Sequence, residues 1–382
     1  MNWETHAEEL AEQITNQGSR WRAPVAATPR HLLVPRWWDW PGEGKCELRD
    51  GPADERAWIR AAYSDETLVT SVGGLHADHA QPGDVPSGLP TSSSTLPSLA
   101  VRMYRHAQLY DGAEVLDVGT GSGYGCALLC ARLSDQQVTS IDVDSYLTEA
   151  AGERLDAIGL HPRLVTCNAT GPLPGVYDRI VSMVSMPTVP PSWLAALRPG
   201  GRLVTVIAGT SVIITANKTR DEDGSVYAEG RVERDWAMFM RARSGPNYPP
   251  GLEDMFTVAR DRDGEHVSQG RYPIVKVTDA WELMSVLEVT APGIQHNYEE
   301  SEDGRRTAWM VHRDGSWARA TAIGYDPPIV HQGGPRRLWD LLDKLRDYWL
   351  RHGYFQLHGA KVFITPSGKI HLARGDWRAT IA

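Results

Sequence analysis

Residues 114–124, with the sequence Glu-Val-Leu-Asp-Val-Gly-Thr-Gly-Ser-Gly-Tyr, constrain the fold of this 382-residue chain more than any other segment. A buried strand delivers Asp117, and three glycines then turn the chain into a helix. Glycine lets a backbone bend sharply and approach a ligand closely. A tight turn without a ligand is the alternative. The pattern predicts a ligand-binding strand–loop–helix unit, with candidate contacts at Asp117, Gly119, Thr120, Gly121, Gly123 and Tyr124.

The spacing of these glycines is GxGxG, whereas dinucleotide-binding loops have the spacing GxGxxG. Tyr124 occupies the place of the third glycine of the dinucleotide pattern, which leaves a nicotinamide dehydrogenase as a distant alternative. Asp142 ends the next strand, where a carboxylate can accept hydrogen bonds from both hydroxyls of a ribose; a solvated strand-end aspartate is the alternative. Asn168 and Ala169 follow the third strand, at the position where such folds hold an adenine amino group. These residues therefore predict a cofactor that contains a nucleoside.

Strands and helices alternate over residues 97–207, which predicts an α/β fold with a parallel sheet covered on both faces. The pattern changes after Gly209. An Asp314-Gly315 hairpin signal and an amphipathic helix over residues 336–352 then indicate a second, α+β part. The sequence thus predicts a doubly wound core followed by a C-terminal extension.

Composition argues against several classes of function. A net charge of −9 disfavours general nucleic-acid binding, which requires a positive surface. No apolar run approaches the length of about eighteen residues that a membrane span requires. The four cysteines form no CxxC pair, and His76 and His79 have metal-ligand spacing without a third ligand nearby. We expect a cytoplasmic protein without a bound metal or a membrane partner; the sequence does not indicate its oligomeric state.

Six further motifs occur in order along the chain, namely Thr28–Pro35, Ala62–Asp65, Ser93–Pro97, Val115–Tyr124, Tyr177–Ile180 and Arg198–Val204. They resemble, in the same order, the motifs of protein-L-isoaspartate O-methyltransferases, over roughly residues 5–208. The resemblance implies a class I, Rossmann-like S-adenosylmethionine-dependent methyltransferase that acts on a peptide or protein bearing Asp or isoaspartate. Together with the change of pattern it predicts a helical lead and long loop (1–90), a methyltransferase core (91–244) and an α+β domain (245–382) that we expect to recognise substrate.

The resemblance also implies the catalytic segment. Thr95 takes the place of the family's active-site serine, and Ser93 and Ser94 lie beside it. A carboxylate with a pKa near 4 is already a nucleophile at neutral pH, so hydroxyl groups need only orient it. The alternative is that Thr95 or Ser94 caps the helix that follows.

The chain departs from the family pattern at several places. Cys167-Asn168-Ala169 replaces Gly-Asp-Gly, the loop over residues 72–90 is longer, and the residues after the core have no expected counterpart in the repair enzyme. This combination resembles the variants associated with ribosomally synthesised peptides such as lanthipeptides and graspetides. Those variants methylate an ordinary aspartate, and the ester collapses to a succinimide and then isoaspartate. Peptide maturation is therefore the preferred hypothesis, with protein repair and a non-catalytic cofactor- and peptide-binding scaffold as alternatives.

Overall fold

The computed structural model describes residues 2–42, 45–245, 248 and 251–382. The helices within these ranges are α1 (Trp3–Ile14), α2 (Arg22–Ala27), α3 (Arg30–Leu33), α4 (Glu55–Ala62), α5 (Pro97–His106), α6 (Tyr124–Arg132), α7 (Ser145–Ala157), α8 (Pro191–Ala196), α9 (Glu253–Asp261), α10 (Trp281–Thr290) and α11 (Leu338–His352). The strands are β1 (Arg36–Gly42), β2 (Lys45–Asp50), β3 (Leu68–Val72), β4 (Leu75–His76), β5 (Pro90–Ser94), β6 (Val115–Val118), β7 (Val138–Asp142), β8 (Arg163–Thr166), β9 (Tyr177–Met186), β10 (Leu197–Ile207), β11 (Val212–Arg220), β12 (Val226–Trp236), β13 (His266–Gln269), β14 (Gln295–Glu300), β15 (Arg305–Val311), β16 (Trp317–Ile323), β17 (Ile329–Gly333), β18 (Lys361–Ile364), β19 (Ile370–Arg374) and β20 (Trp377–Ile381).

A central sheet has the strand order β20-β19-β18-β12-β11-β10-β9-β6-β7-β8 among the described residues. Strands β8, β7, β6, β9 and β10 run parallel to one another, and the remaining pairs are antiparallel. The order reverses direction between β6 and β9, which creates the switch point where such sheets bind ligands. The predicted doubly wound α/β core is confirmed.

Strand β6 explains how both faces of this sheet are covered. All four of its residues are buried, as is usual for a central parallel strand. Val115 packs in a core with residues of α5 and α6, and Leu116 packs in a second core with residues of α8. Because successive side chains of a strand point to opposite faces, one short apolar run supports helices on both sides.

A smaller sheet precedes the central one, with the order β2-β1-β3-β4 and β5 also paired to β3. The tryptophan, proline and glycine residues of segment 37–60 predict a loop, but this segment supplies β1, β2 and most of α4. Trp38 is only 1% exposed and packs with Val72 and Ala77. Packing of the tryptophan thus overrides the local signals of proline and glycine. The polar composition of residues 72–95 likewise predicts one long loop, but residues 90–94 form β5.

The residues after 245 are divided between two sheets. Strands β13-β17-β16-β15-β14 form an antiparallel sheet, with α10 and α11 on one face and α9 on the other. Strands β18, β19 and β20 instead extend the central sheet, where Gly230 of β12 pairs with Val362 of β18. The division at residue 245 remains a prediction, and the last strands share a core with β10 and β11. No helix in the described ranges has the length and apolarity needed to cross a membrane.

Candidate active site

A cavity of about 180 Å³ opens at the carboxyl ends of β6, β7 and β9, at the switch point of the central sheet. Seven of the residues predicted from the sequence line it, namely Ser93, Thr95, Gly119, Gly121, Asp142, Asn168 and Ala169. The other five predicted residues lie outside the lining, namely Ser94, Asp117, Thr120, Gly123 and Tyr124. The fold therefore brings predicted residues from four separate segments of the chain together in one cavity.

The glycine loop forms one wall of this cavity. Gly119 and Gly121 have φ angles of +99° and +52°, in the region that side chains rarely adopt. A Cβ atom on Gly121 would lie 2.9 Å from the carbonyl oxygen of Ser93, and one on Gly119 would lie 3.0 Å from Cγ1 of Val184. The loop thus packs directly against β5 and β9, and only glycine fits at both positions.

Asp142 lies at the end of β7 with its carboxylate held by two backbone amides. Oδ2 accepts a hydrogen bond from the amide of Gly121 over 3.1 Å, and Oδ1 accepts one from the amide of Asp144 over 3.2 Å. Burial raises the pKa of Asp142, while these bonds and the charge of Arg243 oppose that rise. A carboxylate oxygen has more than one acceptor site, so each can accept a further hydrogen bond from a ligand hydroxyl.

Asn168 follows β8 and stabilises its own turn. Its Oδ1 accepts hydrogen bonds from the amide and the hydroxyl of Thr170, over 2.9 and 2.8 Å. The side-chain oxygen that we expected to face an adenine amino group therefore already has two donors. The adjacent Ala169 is also fixed, because its carbonyl oxygen accepts from the indole nitrogen of Trp193 over 2.8 Å.

Asp117 supports the glycine loop from within the sheet. Its carboxyl group is 1% exposed and accepts hydrogen bonds from Tyr104 over 3.1 Å and from Ser140 over 2.8 Å. The hydroxyl of Ser140 also bonds to Thr120 over 2.8 Å. Burial raises the pKa of Asp117 to about 7. Asp117 and Thr120 therefore hold the loop in place, while Gly123 begins α6 with a φ angle of +85°.

Two hydroxyl groups of the predicted catalytic segment are free to meet a ligand. Ser94 is buried, and its Oγ accepts a hydrogen bond from Nε of Arg30 over 3.2 Å. The hydroxyls of Ser93 and Thr95 line the cavity and make no hydrogen bond within the described part of the chain. Both side chains are half-buried. The hydroxyls of Ser93 and Thr95 are therefore available to donate hydrogen bonds to a ligand in the cavity.

The helix after this segment is capped by a distant residue. Leu96 is the N-cap residue of α5 and makes no side-chain cap hydrogen bond. Oδ1 of Asp65 instead accepts from the amide of Ser98 over 2.8 Å. The alternative reading of Thr95 or Ser94 as the cap of α5 is therefore wrong, because Asp65 satisfies the helix amide.

Arg30 binds the segment of Ser94 and Thr95 through hydrogen bonds, a role that the sequence analysis did not predict. Its guanidinium is fully buried and lies 5.1 Å from the ring centroid of Tyr124. Burial lowers its pKa to about 10. Its six hydrogen-bond acceptors are Oγ of Ser94 and the carbonyl oxygens of Ala62, Ser64, Glu66, Ser94 and Thr95. Arg30 therefore links β5 to the segment after α4 and to the start of α6.

A segment after β12 also lines the cavity, and no sequence motif predicted its position there. Ser185, near the end of β9, donates its amide to the carbonyl of Met240 over 2.9 Å and accepts from the amide of Ala242 over 2.8 Å. These bonds bring Arg241 and Arg243 to the cavity. Met238, Phe239 and Tyr248 also line it, and burial raises the pKa of Tyr248. No local pattern marks a pairing between segments so far apart in the chain.

Asp78, which lies between His76 and His79, anchors the long loop over residues 72–90. Oδ2 of Asp78 lies 3.2 Å from Nδ1 of His76, accepts from the hydroxyl of Tyr146 over 2.8 Å and pairs with Arg154. Burial would raise the pKa of Asp78, but these partners hold it well below its usual range. In the described ranges no group of three or more His, Cys, Asp or Glu residues is placed to hold a metal ion. The loop is thereby fixed to α7.

Comparison with known proteins gives one consistent family. Residues 74–233 match the family model described as protein-L-isoaspartate(D-aspartate) O-methyltransferase. The chain is 33% identical over 171 residues to the protein-L-isoaspartate O-methyltransferase of Methylorubrum extorquens, a match that covers 44% of this chain and 71% of that protein. It is 33% identical over 133 residues to the enzyme of the same name from Thermococcus onnurineus, and spans 34% of this chain but only 58% of that relative's length.

A solved structure extends the similarity beyond these matched residues. The structure of a protein-L-isoaspartate O-methyltransferase superposes with a TM-score of 0.51 at 16% identity, and the superposition covers 97% of this chain and 99% of that one. This likeness concerns the fold alone. It contradicts the expectation that the residues after the core have no counterpart in such enzymes.

Proposed function

Because the chain belongs to the protein-L-isoaspartate O-methyltransferase family, we propose that it methylates the free carboxylate of an isoaspartyl residue in a peptide or protein. The donor in this proposal is S-adenosylmethionine. The observation that carries the proposal is the meeting of Ser93 and Thr95, with free hydroxyls, and Asp142 in one cavity.

The residues around the cavity fit this cofactor. The positive φ angles and the close contacts of Gly119 and Gly121 leave backbone, without side chains, facing the space. Asp142 keeps acceptor capacity for the two hydroxyls of a ribose, and Asn168 lies at the neighbouring strand end. We therefore assign the ribose to Asp142 and the methionine side to the glycine loop. The adenine is assigned to the space beside Asn168 and Ala169, whose oxygens are already hydrogen-bonded within the protein.

The reaction requires positioning more than acid–base chemistry. When bound, S-adenosylmethionine supplies an electrophilic methyl group: a carboxylate oxygen forms the new O–CH₃ bond while the C–S electron pair stays on sulfur. The acceptor is ionised at neutral pH, so no residue needs to remove a proton. Ser93 and Thr95 can donate hydrogen bonds that aim the carboxylate, and in-line positioning can lower a barrier by about 7–11 kcal/mol. The proposed reaction therefore requires no general base.

The comparisons reverse the order of the two leading hypotheses. The family is defined by isoaspartyl methylation, and the superposed enzyme has a counterpart to most of the C-terminal residues. These findings support isoaspartyl repair, in which the ester leads to a succinimide and so back to aspartate. Methylation of an ordinary aspartate during peptide maturation becomes the second candidate. Its support is a cavity lined by Met183, Met238 and Met240, whose flexible side chains suit an acceptor of unusual shape.

Two synthetic peptides that differ only in isoaspartate or aspartate at one position test this proposal. The full-length protein would be supplied with methyl-labelled S-adenosylmethionine, and base-labile methyl ester would be counted. We expect ester on the isoaspartyl peptide and at least about tenfold less on the aspartyl peptide, a difference near 1.4 kcal/mol. A third, macrocyclic aspartyl peptide examines the second candidate. Ester on that peptide alone would favour peptide maturation, and cofactor binding without any ester would favour the non-catalytic scaffold.

A further inference from the structure

Arg241 stands on a backbone that is fixed at the mouth of the cavity. The residues on either side of it, Met240 and Ala242, exchange hydrogen bonds with Ser185 over 2.9 and 2.8 Å. The hydroxyl of Ser185 also donates to the carbonyl of Phe239 over 3.1 Å. The side chain of Arg241 lines the cavity but is exposed. Hydrogen bonds thus fix the backbone at Arg241, and its exposed side chain extends from that point at the edge of the cavity.

The guanidinium of Arg241 has no bonded partner in the described part of the chain. Among the residues that the structure describes, it makes no side-chain hydrogen bond and has no carboxylate within 4.0 Å. By contrast, Arg306 pairs with Glu300 over 3.1 Å, and Arg336 pairs with Asp314 over 2.8 Å. Five donors at the mouth of the cavity are therefore available to a ligand.

Two arginines of the described residues line the cavity, Arg241 and Arg243, and they differ in their bonding. The positive charge of Arg241 interacts with Glu288 of α10: burial raises the pKa of this carboxyl, and the charge of Arg241 opposes the rise. Both carboxylate oxygens of Glu288 accept a hydrogen bond from the amide of Gly293 over 3.1 Å. Arg243, by contrast, donates to the carbonyl of Thr91 over 2.9 Å and has Asp144 at 4.0 Å. The hydrogen-bonding groups of Arg243 are thus engaged with other residues of the protein, and the carboxylate of Glu288 is bonded to the backbone of the turn that follows α10.

We propose that Arg241 recognises a second carboxylate of the acceptor peptide, on an acidic residue next to the residue that is methylated. This inference rests on the proposed function and adds its substrate class. The methylated carboxylate belongs deeper, at the half-buried hydroxyls of Ser93 and Thr95. An exposed guanidinium at the rim meets the flanking residue, and its planar fork matches a carboxylate with two parallel hydrogen bonds.

Peptides that carry isoaspartate flanked by glutamate or by glutamine test this recognition. Glutamate is placed before the isoaspartate in one peptide and after it in another, with glutamine in the matched versions. For the wild-type protein we expect kcat/KM to be about tenfold higher with glutamate on one side, as for a charge-assisted contact. Arg241→Ala should abolish the preference, and Arg241→Lys should retain only part of it. Arg220→Ala, at the exposed far end of β11, should leave the preference unchanged.

Binding measurements separate this inference from the proposed reaction. Each peptide would be titrated by calorimetry into full-length protein supplied with S-adenosylhomocysteine. Charge-dependent binding that Arg241→Ala removes, without any methylation, would keep the recognition role and overturn the reaction. Equal binding and equal turnover of the glutamate and glutamine peptides would overturn the recognition role alone. An Arg241→Ala variant that loses affinity for S-adenosylhomocysteine would also overturn it, because the guanidinium would then serve the cofactor.

Discussion

The guanidinium of Arg243 donates a hydrogen bond to the carbonyl oxygen of Thr91 over 2.9 Å, at the start of the strand whose other end is bonded to Arg30. Strand β5 is therefore fixed at both ends by arginines that bond to its carbonyl groups. Ser93 lies between these two points and Thr95 directly follows the strand. The hydroxyl groups that face the cavity thus stand on backbone with little freedom, which suits a reaction that depends on positioning.

Thr95→Val should slow the reaction without weakening the fold. It deletes the hydroxyl but keeps the shape of the side chain. We expect kcat to fall tenfold to a hundredfold, equivalent to about 1–3 kcal/mol of transition-state stabilisation. The affinity for S-adenosylhomocysteine should change little, because the lost hydrogen bond belongs to the acceptor. Turnover of the isoaspartyl peptide and calorimetry on the same variant provide the measurement.

Two further variants complete this test. Thr95→Ser retains the hydroxyl and should retain most of the activity. Asp65→Ala removes the side chain that caps α5 and should lower the free energy of unfolding by about 1 kcal/mol. Normal turnover of Thr95→Val would exclude its hydroxyl from catalysis and move attention to Ser93.

Arg30→Met should destabilise the protein strongly. The substitution leaves a set of buried carbonyl oxygens without their donor, and each unsatisfied group costs about 1–3 kcal/mol. We expect the free energy of unfolding to fall by at least about 3 kcal/mol, as measured by urea denaturation. Arg56→Met, at an exposed position of α4, is the matched control and should have little effect. Equal stability of the two variants would contradict the bonding role of Arg30.

The parts of this site that the sequence predicted have local signals. The glycine loop, Asp142 and Asn168 each follow a short apolar strand, and the ends of parallel strands meet at one edge of a sheet. The parts that the sequence missed depend on contacts between distant segments. Arg243 reaches the cavity only because residues near it pair with Ser185, and no spacing of residue types announces that pairing.

The same distinction applies to the fold. The hairpin of β18 and β19 has a clear turn signal at Ser367-Gly368, which the sequence alone displays. Its pairing with β12 joins segments more than a hundred residues apart, and an isolated hairpin pattern does not specify its neighbour. Trp38 similarly lies in a strand because it packs against Val72. The prolines and glycines near it in the sequence indicate a loop instead.

Asp142→Asn should weaken cofactor binding. The amide keeps the shape but loses the charge and part of the acceptor capacity. Hydrogen bonds to a charged group contribute about 1.5–3 kcal/mol, so the Kd of S-adenosylhomocysteine should rise tenfold or more. Asp156→Asn, at an exposed position of α7, should leave the Kd unchanged. In the same calorimeter NAD should give no binding heat with the wild-type protein, and binding of NAD alone would contradict the assignment of the cofactor.

The buried carboxyl of Asp117 should make stability depend on pH. Its pKa rises from an ordinary value of 3.8 to about 7 in the folded protein, because burial disfavours the charged form. The folded state therefore binds the proton more tightly than the unfolded state. Its contribution to stability is complete below pH 4 and is lost as the pH rises to about 7. Asp117→Asn removes this titration, so the stability of the wild type relative to Asp117→Asn should decline from pH 5 to pH 8 in urea denaturation. A difference that is constant over this range would contradict the raised pKa.

The last strands of the chain should stabilise the methyltransferase core, although the sequence assigned them to a separate unit. Leu372 of β19 is fully buried in the core that also contains Leu203 and Ile214, whereas its neighbour His371 is exposed. Leu372→Ala should lower the free energy of unfolding by about 2–5 kcal/mol, the cost of losing buried methyl groups and leaving a cavity. His371→Ala should change it by less than about 0.5 kcal/mol, since it alters only the outer face. A chain ended at residue 245 would expose the edge of β12 and the apolar groups beneath β18, so we expect it to aggregate. If that shortened chain instead unfolds at the same temperature as the full protein, the pairing of β12 with β18 contributes nothing to the stability of the core.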